Sequence, residues 1–355
     1  MSRSANRACR ALVLCSVLWL TFTPLETHAQ ATDATIRGRV LEGGSAARTG
    51  SVEAVNVDTG FPRRAEVRGD GSYVLLGLAP GTYEITANAG GEERSSGTVR
   101  VQIGQTVNLD VEIGAGASSI EEVLVVGQRL MEMRTAQVAT NITTDQIESL
   151  PQGSRNFLNF AALAPGVRVN DRDTEKTFQA GALGPNAVNV YIDGASYKNQ
   201  VIRGGVAGQD SSRGNPFPQN AVQEFRVATQ NFSAEYEHAS SAIITALTRS
   251  GTNVFEGGGF VYYQDKGLVA RDDFAEPGEP KAEYERLQYG FSLGGPIVRD
   301  KMHYFVAFEG NDQDRASRVT LGNPDFEPIF GQHEGSFTQP FREDLLFGKL
   351  DYTPN

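Results

Sequence analysis

Chemistry needs particular side chains at particular spacings, and this sequence is poor in both. Its four histidines, His28, His238, His303 and His333, are scattered and form no HExxH pair or related zinc set. No GxSxG nucleophile turn, GxxxxGK[ST] phosphate loop or helix-opening GxGxxG occurs. Asp193 in YIDG and Glu224 in VQEF lie near the ends of strand-like runs, where turn or surface roles suit them better than paired acid-base work. The triplet RGD, Arg68 to Asp70, has the form of an adhesion ligand but leads straight into the turn signal GDGS, and the turn reading is preferred. No catalytic residue, cofactor or metal site is assigned, and the chain is read as a non-enzyme. The segment with the clearest potential for recognition is SIEEVLVVGQR, Ser119 to Arg129. There four apolar residues, Val123 to Val126, favour an extended strand directly after the flexible run GAGAS.

Around these residues, the elements begin with an export signal. Arg3, Arg7 and Arg10 precede the apolar run ALVLCSVLWL, which ends near the small-residue site THA before Gln30, the pattern of a secretory signal peptide. The run is shorter than the ~20 residues that a spanning helix needs. Both cysteines, Cys9 and Cys15, fall inside it, so the exported chain would carry no disulfide framework or thiolate metal site. The formal net charge is -11, and cleavage would remove three arginines and one glutamate, which disfavours a nucleic-acid partner.

From Ala34 to about Gly114 short β-runs follow closely: ATIRGRV, SVEAVNV, GSYVLLGL, TYEITANA, TVRVQIG and TVNLDVEIG. DTG, GDGS and APGTY punctuate them, and in APGTY Pro80 and Gly81 suit the central positions of a type II turn. About seven strands in this length predict a small β-sandwich. The motifs DTG at Asp58, DGSY at Asp70 and LAPGTY at Leu78 resemble carboxypeptidase regulatory-like domains, which are non-catalytic modules.

Between Met131 and Gly251 helix and strand signals mix. TTDQIESLP offers Thr143 or Thr144 as a helix N-cap with Pro151 beyond the end. SRNFLNFAALAPGV offers Ser154 as a cap, with Phe157, Phe160, Ala161 and Ala164 at helical spacing and Pro165-Gly166 as a stop. AVNVYIDGA, AVQEFRVAT and SSAIITALTRSGTN read as strands. Beyond Gly251, Leu287, Tyr289, Phe291 and Leu293 alternate with Arg286, Gln288, Gly290 and Ser292. Met302, Tyr304, Val306 and Phe308 likewise alternate with His303, Phe305, Ala307 and Glu309. Short and long connections also alternate. This pattern fits an outer-membrane barrel and a soluble antiparallel sheet equally well.

The order of LPQGSRNFLNFAALAPGV, VNVYIDG, VQEFRV, NFSAEYEHASSAIITALTRSGTN and FSLGGPIVRDKMHYFVAFEG resembles a TonB-dependent outer-membrane receptor, of the subgroup with an Oar-like barrel. One departure is EYEHASSAI, where Glu237, His238 and Ser241 stand at positions usually held by small residues. The resemblance implies a mainly β fold: an N-terminal seven-stranded β-sandwich, an α+β plug domain, and the first strands of a truncated antiparallel transmembrane β-barrel. The expected limits are 1–29 for the signal peptide, 30–114 for the sandwich, 115–130 for a linker, 131–251 for the plug and 252–355 for the start of the barrel. It further implies that Glu121, Glu122, Val123, Leu124, Val125, Val126 and Gly127 form a TonB box, which binds the periplasmic protein TonB by adding a strand to an exposed sheet edge. The same run also fits a fixed strand of the sandwich or plug.

The other implied partners are outer-membrane lipid and an unknown small-molecule, carbohydrate or peptide substrate. From Asn253 onward there is room for about four strands, whereas bacterial barrels have at least 8. The final FGKLDYTPN resembles a strand running into a turn, so a longer receptor is expected. A secreted or cell-surface carbohydrate-binding or adhesin protein is the competing expectation.

Overall fold

A computed structural model describes residues 32–113, 137–172, 175–199, 214–234, 236–271 and 281–354. The expected signal peptide and the Glu121 to Gly127 segment lie outside the described residues.

Alternating apolar positions build the first module. Strands β1 (Ala34–Glu42), β2 (Ser45–Ala46), β3 (Ser51–Asn56), β4 (Pro62–Glu66), β5 (Ser72–Leu78), β6 (Gly81–Ala89), β7 (Glu92–Val101), β8 (Thr106–Asn108) and β9 (Val111–Ile113) form two sheets. One is centred on β1, which pairs antiparallel with β2 and β5 and parallel with β8 and β9; the other has the order β4-β3-β6-β7. Ile36, Val52, Leu75, Leu78, Ile85 and Val99 close the core between them.

Nine strands replace the expected seven. Beyond the six apolar runs visible in the sequence, the additions are the two-residue β2, the charged edge strand β4 and the division of TVNLDVEIG into β8 and β9. The turn at Pro80-Gly81 also differs. Gly81 has φ 159° and begins β6 directly, far from the roughly +80° that a type II turn requires at that position. The GDGS turn forms as expected: the Asp70 carboxylate accepts the Ser72 backbone N–H at 3.0 Å and its hydroxyl at 2.6 Å, which commits the RGD carboxylate locally.

The second module is a mixed sheet with the order β10-β15-β16-β13-β14. Its strands are β10 (Val138–Ile142), β13 (Val188–Ile192), β14 (Ala195–Ser196), β15 (Val222–Gln230) and β16 (Ala242–Thr248), and a separate hairpin pairs β11 (Val167–Arg172) with β12 (Glu175–Ala180). β13 lies parallel to β16 and all five of its residues are buried, as befits a strand covered on both faces. The helix Thr144–Ser149 starts where expected. Thr143 is its N-cap, and a reciprocal capping box joins the Thr143 hydroxyl to the Gln146 backbone and the Gln146 side chain to the Thr143 backbone. The second expected helix is instead a 3₁₀ helix, Phe157–Leu163, capped by the Asn156 side chain rather than Ser154. Arg155, at φ 51°, turns the chain between the two, so helical backbone cannot run back to Ser154.

The third module is an antiparallel meander, β17 (Glu256–Asp265), β18 (Tyr284–Val298), β19 (Met302–Val319) and β20 (Gly335–Tyr352). A turn at Arg299 to Lys301 joins β18 to β19, while the longer segments 266–283 and 320–334 join the opposite ends, the second carrying the helical turn Glu327–Phe330. Gly251 leads into this module against the wall: a Cβ there would lie 2.2 Å from the Tyr304 carbonyl oxygen.

Candidate functional site: the plug and barrel-wall contact

The alternation of the meander acquires direction in the structure. Val261 (70% exposed), Phe291 (51%) and Leu346 (79%) face outward. Gln288, Asn311 and Gln313 are buried on the opposite face. A soluble sheet hides its apolar face, so this inversion marks a wall whose outer surface meets lipid. On β18 the outward apolar band runs from Leu287 to Ile297, which matches the roughly 9–11 residues of a tilted membrane-crossing strand. Cross-strand register places Phe308 between Phe291 and Leu346 on that same face.

The inner face packs on the second module. Phe305, Ala307 and Phe347 extend its core, alongside Phe157, Leu158, Phe225 and Ile244. Next to this apolar contact lies a polar one centred on Arg155. The Arg155 guanidinium binds both Glu309 carboxylate oxygens, through Nε at 3.0 Å and Nη2 at 2.9 Å. Nη2 also donates to Asn220 Oδ1 at 2.6 Å, and the Asn220 backbone N–H donates to Glu309 at 2.7 Å. The Phe260 ring covers the guanidinium, 3.7 Å from its centroid. Both charged side chains are nearly inaccessible to water, 11% and 7% exposed. The pair is therefore shielded and geometrically specified, unlike a surface ion pair.

The neighbouring backbone is gripped as well. Arg286 of β18 donates to the Gly153 carbonyl at 2.8 Å, and Asn215, whose backbone N–H donates to Glu343 of β20, reaches the Ser154 carbonyl at 3.0 Å. Three successive wall strands thus hold the strained segment Gly153 to Arg155. Sequence reading missed this cluster, because Arg155 and Glu309 are far apart in the chain and neither belongs to a local motif.

The two carboxylates singled out from sequence are not brought together. Asp193, at φ 48° in the turn after β13, accepts the Thr248 backbone N–H at 2.9 Å and its hydroxyl at 2.5 Å, a turn role as expected. Glu224 is not at a surface: it is buried where the first module meets the second, and it accepts the Ile103 backbone N–H. Burial pushes its carboxyl up to about 7, against smaller opposing effects from that hydrogen bond and from the Arg100 charge. His238 occupies φ 56°, a left-handed position that glycine adopts without strain, which accounts for the small residues usual in such segments. Among the described residues no group of three His, Cys, Asp or Glu side chains is placed to hold a metal ion. A cavity of about 890 Å³ runs between the three modules, past Arg63 and Tyr83, Arg155 and Arg249, and Tyr262 and Lys349.

A lipid-facing strand wall packed on its inner face against a separate mixed α/β module is the architecture of a plugged outer-membrane barrel. Family profiles agree with that class: "Carboxypeptidase regulatory-like domain" matches residues 35–114, "TonB-dependent Receptor Plug Domain" 132–243, and "Outer membrane beta barrel domain" 247–345. The chain carries, in order, the carboxypeptidase regulatory-like, plug and barrel domains that mark TonB-dependent receptors of the outer membrane. It is 25% identical over 256 residues to the TonB-dependent transporter Oar of Myxococcus xanthus, a match covering 67% of this chain and 23% of that protein, so it spans about a quarter of that relative's length. Among solved structures, the outer membrane transporter YddB from Escherichia coli aligns with a TM-score of 0.46 at 14% identity, over 61% of this chain and 31% of that one. The siderophore receptor PirA from Pseudomonas aeruginosa aligns with a TM-score of 0.35 at 15% identity, over 60% and 36%.

Proposed function

We propose that this chain is part of a receptor that takes up a scarce solute across the outer membrane, energised through TonB. The observation that carries the reading is the inverted wall, apolar outside and polar inside, latched to a plug through Arg155 and Glu309. A plug held by a buried ion pair blocks passage at rest and needs external work to release it. Open sheet edges in lipid leave unpaired backbone groups at several kcal/mol each, so the four described strands belong to a wall that closes with further strands.

The domain limits proposed are 30–114 for the sandwich, 131–251 for the plug and 252 onward for the barrel. In the linker between sandwich and plug, Glu121 to Gly127 serves as the TonB box, offering an extended backbone and alternate side chains to a sheet edge of TonB. The solute is a small molecule, a carbohydrate or a peptide. The experiment that tests the box is site-directed crosslinking of the complete receptor to TonB. Val125→Pro removes a ladder N–H and is expected to abolish the crosslink. Normal crosslinking by that variant would show the stretch to be only structural.

A further inference from the structure

The sandwich contacts both other modules at the wall end that carries the short Arg299 to Lys301 turn, the end that faces the periplasm in such barrels. On the plug side, Arg226 Nη1 donates to the Gly104 carbonyl at 2.9 Å and the Ile103 carbonyl at 3.4 Å. The Ile103 N–H donates to Glu224, and Asn141 of the plug's edge strand β10 donates to Gln102 at 3.0 Å. On the barrel side, the Asn253 N–H donates to the Asp58 carbonyl at 2.8 Å, and Phe61 lies against His303 with ring centroids 5.0 Å apart. The Gln223 side chain also donates to the Pro80 carbonyl at 3.4 Å, so the sandwich meets the plug through Gln102 to Gly104 and Pro80 and meets the wall through Asp58 to Phe61. It also walls the 890 Å³ cavity, through Asp33, Arg63 and Tyr83 among others.

These contacts are few and mostly polar, unlike the continuous apolar seam that joins plug to barrel. Polar interfaces of this kind within a chain permit relative motion. At the centre of the plug contact sits Glu224, 5% exposed, with Arg100 contributing charge from the sandwich and Arg226 two residues along its own strand. Gln102 and Asn141, which pair across the same contact, are uncharged.

We propose that the sandwich is a reversible periplasmic clasp joining plug to barrel, and that protonation of Glu224 controls its docking. Docking buries the carboxyl and undocking returns it to water, so the docked state holds the proton more tightly. The carboxyl moves from an ordinary 4.5 when free to about 7 when docked. A raised carboxyl favours docking fully below 4.5. Between 4.5 and 7 the docking constant falls about tenfold per pH unit, about 300-fold in all, and it is level above 7.

The test is pulsed dipolar spectroscopy on the complete receptor in lipid nanodiscs. Spin labels sit on cysteines introduced by Glu112→Cys in the sandwich and Lys301→Cys in the barrel turn, with Cys9 and Cys15 replaced by serine. The expected result is one short distance in acid, with a second, broader population growing between pH 4.5 and 7. Glu224→Gln, which mimics the neutral carboxyl, is expected to hold the short distance throughout. Arg226→Gln, which loses both carbonyl contacts, raises the undocked share at every pH and brings it into range if docking is very tight. A pH-independent distance in both the unaltered receptor and Arg226→Gln would overturn the proposal. So would a Glu224→Gln receptor that still responds to pH as the unaltered one does.

Discussion

Removing the Glu309 charge is the sharpest perturbation of the plug contact. In Glu309→Gln the shape of the site is kept, yet the Arg155 guanidinium stays under Phe260 with no carboxylate, and the Asn220 N–H loses a charged acceptor. Breaking a buried ion pair in this way costs about 3–5 kcal/mol, since the remaining charge is desolvated without compensation. Arg155 also carries left-handed backbone strain of about 1–3 kcal/mol, which the pair helps to hold. Local opening of Gly153 to Asn156 should therefore become roughly 150- to 5,000-fold more frequent. Hydrogen exchange followed by mass spectrometry on the complete receptor reads this directly, in peptides spanning residues 153–164. The double variant Arg155→Gln/Glu309→Gln should exchange more slowly than Glu309→Gln alone, because no charge is left stranded. Unchanged exchange in the single variant, or strictly additive effects in the double one, would refute the assignment of the pair as the latch.

Three further outcomes follow from the same geometry. Phe291→Arg places a charge on the outward band and should lower membrane-folded stability by about 2–4 kcal/mol, seen in the urea midpoint for loss of the heat-modifiable gel mobility; an unshifted midpoint would mean that this face is not in lipid. Gly251→Ala drives a Cβ against the Tyr304 and Gly295 carbonyls and should cost about 1–3 kcal/mol, measured as a lowered denaturation midpoint of the plug. Thr143→Ala removes one half of the capping box and should destabilise the plug by about 1 kcal/mol in the same assay, with Thr143→Ser retaining most of the stability.

What the sequence made legible was local. The Thr143 cap needs only a hydroxyl three residues before an amide side chain, and Asp70 needs only the turn that follows it. The strand β4 escaped notice because Pro62, Arg63, Arg64 and Glu66 are exposed; pairing with β3 holds it, without a buried face to leave an apolar period. Alternation in β18 and β19 was plain, but a period of two does not say which face is outside. The burial of Gln288 and Asn311 and the exposure of Phe291 settle that, and they depend on the plug supplied by another part of the chain. The 3₁₀ helix was misjudged because the wall takes Arg155 for its own contact, which overrides the helical spacing of Phe157, Phe160 and Ala161. Glu224 was placed at a surface because the sandwich that covers it is remote in sequence.

The most direct test of the central claim is nutrient-limited growth and uptake with the complete gene present or deleted, each in cells with and without TonB. Iron chelates, cobalamin, carbohydrates and peptides serve in turn as the limiting source. Uptake of at least one of these is expected to require both the receptor and TonB. Uptake of every solute that is indifferent to the receptor, accompanied by lost surface adhesion on deletion, would contradict the claim.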